Sequence, residues 1–90
     1  MYKIFETNEF IKKFEKLVNK ENDFLYKKLT DYVYPQLRSQ PYYGKNIKKL
    51  VSYKPETWRY RMGKYRLFYL IEEQDKIISL LSIDLRKNAY

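Results

Sequence analysis

The sequence contains neither cysteine nor histidine, and these absences exclude several classes of site. Without cysteine there is no disulfide framework, and without either residue there is no Cys/His zinc site and no Ser-His-Asp triad. No apolar run is long enough to span a bilayer, and residues 1–10 alternate charged and apolar side chains, unlike a signal peptide. We therefore expect a cytoplasmic protein with no membrane partner, no metal and no small-molecule cofactor.

Acidic residues are also few. Eleven Asp and Glu stand against nineteen Lys and Arg, which gives a formal net charge of +8. Such a charge attracts nucleic acid, an acidic protein or an anionic membrane surface, and it does not indicate which of the three is the partner. The 90 residues, of which 44% are hydrophobic, are enough for one modest core. We therefore predict a single domain, residues 1–90.

The first half of the chain predicts a short strand followed by two helices. Residues 2–6 read as the strand, and Thr7 or Asn8 can cap a helix over 8–19 whose apolar residues recur at helical spacing. Lys12, Lys13 and Lys16 then fall on its solvated outer side. A second helix is expected to start near residues 22–23, and a kink or an early end is expected at Pro35 because proline removes a helical hydrogen bond.

The second half predicts strands. A short extended piece over 47–51 leads to a hairpin over 58–71, and a last strand over 76–84 is apolar on both sides and therefore central in the sheet. The fold class is α+β: a strand, then a two-helix hairpin packed on one face of a small, mainly antiparallel sheet, with a C-terminal three-stranded meander.

The hairpin centred on Gly63-Lys64 carries the main functional signal. Gly in the first turn position is typical of a two-residue type II′ turn, which would pair Arg61 with Arg66 and Arg59 with Phe68. Two arginines directly opposite each other repel by up to ~1 kcal/mol. A fold tolerates this more readily when an anion lies between them, although arginines also occur on ordinary solvated strands.

The register of the last two strands decides which other residues share the arginine face. A three-residue loop at 73–75 would place Asp84 and Arg86 there. A four-residue loop would instead turn each side chain of the last strand to the opposite face of the sheet. With the shorter loop, an apolar strip on this face would consist of Phe68, Leu70, Ile78 and Leu80. Two helices cover only one face of a sheet, so this strip is predicted to bind a partner protein.

The order of elements and three motifs resemble the RelE/ParE superfamily of type II toxins over essentially the whole chain. The motifs are Ile47-Lys48-Lys49-Leu50, then Trp58-Arg59-Tyr60-Arg61-Met62-Gly63-Lys64-Tyr65-Arg66, and the ending Ile83-Asp84-Leu85-Arg86-Lys87-Asn88-Ala89-Tyr90. RelE-type members cleave mRNA on the translating ribosome, without a metal. The resemblance also implies that the partner is a cognate antitoxin, typically acidic.

The resemblance implies roles for single residues. Arg59 and Arg61 match two basic positions that contact the substrate and assist deprotonation, and Arg66 matches an arginine that steadies the scissile phosphate. Arg86 matches the arginine proposed to protonate the leaving oxygen, and Tyr90 the tyrosine that orients the base. Further RNA contacts are expected from Lys48, Lys49, Lys64, Phe68 and Lys87.

Two departures from the RelE pattern affect the chemistry. Many relatives carry lysines where this chain has Arg59 and Arg61, and an arginine with a pKa above ~12 is a poor general base. Asp84 could also partly neutralise the site. The alternatives are therefore a ParE-type inhibitor of DNA gyrase and a non-catalytic RNA-binding module of the same fold.

Overall fold

The computed structural model describes residues 1–20 and 24–85, apart from the side chains of residues 19 and 20. The elements are, in chain order, β1 (Lys3–Glu6), α1 (Asn8–Lys20), α2 (Phe24–Lys28), a π-helical turn (Leu29–Val33), α3 (Tyr34–Ser39), β2 (Ile47–Lys49), β3 (Trp58–Met62), β4 (Tyr65–Glu72) and β5 (Ile77–Leu85). The start of the second helix, expected near residues 22–23, lies outside the described residues. No helix in the described part of the chain is both long and apolar enough to cross a membrane.

The five strands form one mixed sheet in the order β1-β5-β4-β3-β2. β1 is parallel to β5, and the other neighbours are antiparallel. β5 therefore lies between β1 and β4, which confirms the prediction of a central last strand and explains its apolar residues on both faces. The α+β class and the helical hairpin on one sheet face are also confirmed.

Helix α1 begins where the sequence indicates. The hydroxyl oxygen of Thr7 accepts a hydrogen bond from the Phe10 N–H at 3.2 Å, the geometry of an N-cap. The same hydroxyl donates to the carbonyl of Leu80 at 2.6 Å. One residue thus ends β1, starts α1 and fixes both to the middle of β5.

Pro35 does not end the second helical run, which continues to Ser39. A π-helical turn precedes the proline, and the Tyr34 N–H donates to the carbonyl of Leu29, five residues back. Pro35 then lies in the first turn of α3, where its missing N–H costs no helical hydrogen bond. The helix accommodates the proline by this change of hydrogen-bonding pattern.

The core lies between the helices and one sheet face. The helices contribute Phe10, Leu25, Leu29, Val33, Tyr34 and Leu37; the sheet contributes Tyr60, Met62, Tyr65, Leu67, Tyr69, Ile78, Leu80 and Ile83. On β4 the buried residues alternate with half-buried ones, as expected for a strand with one covered face. The arginines of the hairpin lie on the opposite face.

The hairpin has the predicted register. Met62 pairs with Tyr65, Arg61 with Arg66 and Arg59 with Phe68. Gly63 has a φ of 61°, as the first position of a type II′ turn requires, and no atom lies within 4 Å of where its Cβ would be. The positive φ therefore explains the glycine here, because there is enough space around it for a larger residue.

The register of β4 and β5 differs from the prediction. Glu72 pairs with Ile77, so the loop has four residues and Lys76 takes a φ of 56°. Ile78 and Leu80 therefore face the core and are fully buried, and their prediction as members of an exposed partner-binding strip is wrong.

A β-bulge farther along β5 shifts the alternation of its side chains by one residue, so the residues after the bulge lie on the faces that the shorter loop predicted. Phe68 pairs with Ser82 but Tyr69 pairs with Leu80, which leaves Leu81 as an extra residue in β5. After the bulge, Asp84 pairs with Arg66. Asp84 therefore lies on the arginine face as predicted, although it was expected farther from Arg66.

Candidate functional site: the arginine face

The open face of the sheet carries two adjacent rows of mainly polar side chains, which we call the arginine face. Residues directly opposite each other on neighbouring strands share a face, with Cβ atoms ~4.5–5.5 Å apart. The rows follow from the strand register: one consists of Lys48, Arg59, Phe68 and Ser82, and the other of Arg61, Arg66 and Asp84. Four strands thus each contribute side chains to a small area.

A groove of about 380 Å³ lies over these rows. It is lined by Lys48, Leu50, Tyr53, Arg59, Arg61, Arg66 and Phe68. One wall is the loop between β2 and β3, which is closed by a 2.9 Å hydrogen bond from the Leu50 N–H to the Thr57 carbonyl. The groove therefore combines four cationic side chains with two aromatic ones, a composition suited to a phosphate with a base or sugar attached.

Arg61 and Arg66 face each other across the hairpin at the end of this groove. Arg66 and Arg59 are half-buried, whereas Arg61 is exposed. Guanidinium groups keep their charge at any physiological pH and bind phosphate oxygens in a bidentate manner. Their placement side by side on a two-residue hairpin is an arrangement that can bind an anion.

Asp84 is held by two side chains at the edge of the arginine face. The Lys13 Nζ lies 3.2 Å from Asp84 Oδ1 and 3.2 Å from Ser82 Oγ. Ser82 Oγ is in turn 3.3 Å from Asp84 Oδ2. Lys13 thus reaches the sheet from α1 and is half-buried, so its prediction as part of a solvated outer side is wrong.

The other predicted RNA contacts divide into three groups. Lys48 and Phe68 line the groove. Lys49 pairs with Trp58 and so faces the other side of the sheet, where its Nζ lies 2.5 Å from Glu56 Oε2. Lys64 lies in the hairpin turn, with its Nζ 5.9 Å from the centre of the Tyr65 ring on the core side. Arg86, Lys87 and Tyr90 lie outside the described residues.

An apolar area adjoins the arginine face. Phe68 and Leu70 lie on the open face and are half-buried, as predicted. Phe5 on β1 pairs with Ser79, which itself pairs with Leu70, so these three residues form a row across the sheet. Phe5 is 57% exposed. The apolar patch of the open face is therefore Phe5, Phe68 and Leu70.

Sequence reasoning missed several residues that contribute to this face. Tyr53 and Leu50 line the groove from a loop whose path no periodicity in the sequence predicts. Phe5 was assigned to a strand without a role. No sequence signal identifies Phe5, because its place on the open face depends on the parallel pairing of β1 with β5.

Comparison with known proteins identifies the family. Residues 5–90 match the family model described as the ParE toxin of the type II toxin–antitoxin system parDE. No curated protein sequence matches the chain significantly.

Solved structures share the fold at low sequence identity. The RelE–RelB complex from Pyrococcus horikoshii has a TM-score of 0.75 at 20% identity, with 97% of each chain covered. The RelBE2 toxin–antitoxin complex from Mycobacterium tuberculosis has a TM-score of 0.73 at 22% identity, covering 94% of this chain and 98% of the other. A metal-bound toxin from Helicobacter pylori has a TM-score of 0.76 at 19% identity over the full length of both chains. The match of the family model over nearly the whole sequence, on this fold, shows that the chain belongs to the ParE toxin family of type II toxin–antitoxin systems, within the RelE/ParE superfamily.

Proposed function

We propose that this toxin is a metal-independent endoribonuclease that cleaves mRNA on the ribosome and is neutralised by a cognate antitoxin. The observation that carries the proposal is the direct pairing of Arg61 with Arg66 in a groove that Arg59 and Lys48 also line. Two like charges directly opposite each other disfavour the fold by up to ~1 kcal/mol, and a bound anion would offset this cost. A phosphodiester of single-stranded RNA supplies that anion and presents bases to the aromatic side chains.

The proposed chemistry is attack by a ribose 2′-OH on the adjacent phosphate, which forms a P–O2′ bond and breaks the P–O5′ bond. The products are a 2′,3′-cyclic phosphate and a 5′-hydroxyl, with the 2′-OH proton lost to water and a proton gained from water by the leaving oxygen. This reaction needs in-line geometry and stabilisation of a transition state with added negative charge, and it needs no protein nucleophile. Arg66 and Arg61, from opposite strands, would hold the phosphate oxygens, while Arg59 and Lys48 would hold the neighbouring backbone. Phe68 and Tyr53 would contact a base or sugar.

The first test is primer extension on a reporter mRNA in a reconstituted translation system. Arg66→Gln removes the charge from the half-buried member of the central pair and is expected to reduce cleavage by about 10²–10³-fold, the typical effect of losing one preorganised electrostatic contact. New 5′ ends within the translated region, absent with the variant, are the expected result.

Arg38→Gln is the matched control, since Arg38 lies on α3, with its guanidinium 5.9 Å from the centre of the Tyr34 ring. It should cleave like the wild type. Inhibited translation without new 5′ ends would overturn the nuclease proposal and favour a module that binds RNA without cutting it. Equal losses in both variants would mean that the arginine face has no special role.

A second candidate, inhibition of DNA gyrase, is favoured by one specific observation. The family model that matches the chain is that of the ParE toxin. The resemblance to ParE-type toxins implies gyrase inhibition. A supercoiling assay with purified gyrase tests it directly. Inhibition at stoichiometric toxin, together with intact reporter mRNA, would replace the nuclease proposal.

The antitoxin is proposed to cover the apolar patch of Phe5, Phe68 and Leu70. An acidic partner would be drawn by the charge of +8 and would bury the patch as it docks. Because the patch shares Phe68 with the groove, an antitoxin bound there would also block the arginine face. Neutralisation would then require no conformational change in the toxin.

A further inference from the structure

We infer that two copies of this toxin associate through the outer surface of the helical hairpin, where Lys27 and Asp31 of each copy pair with Asp31 and Lys27 of the other. The inference goes beyond the proposed nuclease function and does not depend on it. The helices cover the sheet face opposite the arginine face, so this surface is separate from the groove and from the apolar patch.

Three aromatic side chains near the start of the second helical run are exposed. The exposed fraction is 66% for Phe24, 51% for Tyr26 and 69% for Tyr32. Leu25 and Leu29 of the same run are buried in the core. The three aromatic side chains therefore lie outside the buried stripe of this run and are open to a partner.

Two grooves adjoin these aromatic side chains and make the surface continuous. The larger groove, of about 570 Å³, includes apolar side chains from both α1 and the second helical run: Phe14, Val18, Phe24 and Tyr26. The smaller groove, of about 420 Å³, includes Tyr32. A continuous exposed apolar surface of this kind on a small domain marks a contact with another protein.

A ridge separates the two grooves. Phe24, Lys27 and Asp31 line both of them. These residues follow one another at spacings of three and four, so they lie in one row along the helix. Helices pack by placing a ridge of one in a groove of the other. Two antiparallel copies can therefore each place this ridge in the larger groove of the other, and such a two-fold contact closes as a dimer.

The charges on the ridge are complementary to themselves. Lys27 Nζ lies 3.7 Å from Asp31 Oδ2, four residues farther along the helix. An antiparallel pair of ridges brings Lys27 of each copy beside Asp31 of the other. An acidic partner would be repelled by Asp31, whereas a second copy meets an opposite charge at both positions. Exposed ion pairs add little affinity, but they select the partner and its orientation.

The dimer is expected to dissociate on dilution. Two aromatic side chains from each copy, at ~150–250 Å² apiece, remove at most ~600–1,000 Å² of surface. Stable interfaces bury ~1,200–2,000 Å². The net charge of +8 on each copy also opposes association.

Sedimentation equilibrium of the purified toxin, from micromolar to millimolar concentration, tests the inference. The wild type is expected to change reversibly from monomer to dimer over this range. Lys27→Glu and Asp31→Lys should each weaken the dimer on the order of tenfold, because each places like charges opposite one another. The double variant, Lys27→Glu with Asp31→Lys, restores opposite charges at both contacts and should associate like the wild type.

The two single variants separate local pairing from general repulsion between basic molecules. Lys27→Glu lowers the net charge of the chain and Asp31→Lys raises it, so general repulsion predicts a tighter dimer for the first and a weaker one for the second. The paired ridges predict a weaker dimer for both. Lys45→Glu, at an exposed lysine in the loop between α3 and β2, is the matched control and should not weaken the dimer.

A second pair of variants tests the apolar part of the contact. Tyr26→Ser removes an aromatic side chain from the larger groove and should weaken the dimer about tenfold, whereas Tyr43→Ser makes the same change at an exposed tyrosine elsewhere and should not. Thermal unfolding verifies the fold of each variant. A wild type that stays monomeric at millimolar concentration would overturn the inference, as would a dimer that the double charge exchange fails to restore.

Discussion

The hydroxyl of Tyr69 donates a 2.8 Å hydrogen bond to the main-chain carbonyl of Pro41, and both residues are fully buried. This contact joins the middle of β4 to the loop that follows α3, across 28 residues of sequence. Burial raises the pKa of the Tyr69 hydroxyl well above its usual value, so the group stays protonated and continues to donate. The contact fixes the point at which the chain leaves the helices and returns to the sheet.

Tyr69→Phe is therefore expected to lower the free energy of unfolding by about 1–3 kcal/mol, because the Pro41 carbonyl would remain buried without its partner. Urea denaturation measures the change. Tyr43→Phe is the matched control, since Tyr43 belongs to the same loop and is 75% exposed. An equal, small effect of the two substitutions would show that the hydrogen bond contributes nothing beyond surface solvation.

A second group of tyrosines converges on Glu73 in the loop between β4 and β5. Its Oε1 accepts hydrogen bonds from the hydroxyls of Tyr2 at 2.6 Å and Tyr42 at 2.8 Å, and Lys76 forms an ion pair with its Oε2. These contacts, Lys76 first, lower the pKa of Glu73 to about 2. The cluster connects the N-terminus and the loop after α3 to this turn.

A carboxyl whose pKa is lower in the folded state stabilises the fold above its unfolded pKa and loses that contribution as pH falls through the folded value. Glu73→Gln is thus expected to reduce stability modestly at pH 7, and the difference from wild type should shrink between about pH 4.5 and 2. The effect is modest because Glu73 is exposed and water screens its contacts. Denaturant titrations at several pH values measure it.

Glu15→Gln is the control for this titration, because Glu15 is an exposed carboxylate on α1. Its effect on stability should be close to zero over the same range. A Glu73→Gln difference that stayed constant down to pH 2 would show that the lost interaction does not depend on the charge of Glu73.

The two hairpins show what the sequence could and could not predict. The Gly63-Lys64 turn has two residues, and a two-residue turn determines the pairing of both strands, so the Arg61–Arg66 pair followed from the sequence. The turn between β4 and β5 has four residues and places Lys76, not a glycine, at positive φ. Nothing in the sequence distinguishes it from a three-residue loop, and the error reversed the faces of Ile78 and Leu80.

The bulge at Leu81 then reversed the parity again, which is why Asp84 was predicted on the correct face despite the wrong loop. Lys13 is a residue whose position on its helix the sequence predicts but whose contacts it does not. Helical periodicity correctly places it away from the apolar stripe of α1. It does not reveal that this side of α1 lies beside the uncovered edge of β5, because that depends on where β1 ends.

The apolar patch of the open face gives the last prediction. Leu70→Glu places a carboxylate in the apolar patch, at the β4 end of the row formed with Ser79 and Phe5, where it would repel an acidic antitoxin and remove apolar contact area. Burial of one leucine side chain stabilises by about 1.5–3 kcal/mol, so affinity for the cognate antitoxin should fall by about 10–100-fold. Isothermal titration calorimetry measures the change, and circular dichroism verifies that the variant is folded.

Tyr43→Glu is the appropriate comparison, because it introduces the same charge at an exposed aromatic residue in the loop after α3. Charge repulsion alone would weaken antitoxin binding similarly in the two variants, and added salt would reduce the effect. Loss of buried apolar contact would weaken binding only in Leu70→Glu, and this effect would persist in high salt. If Leu70→Glu binds like the wild type while Tyr43→Glu binds poorly, the antitoxin docks elsewhere, and blockage of the groove through Phe68 cannot be how it neutralises the toxin.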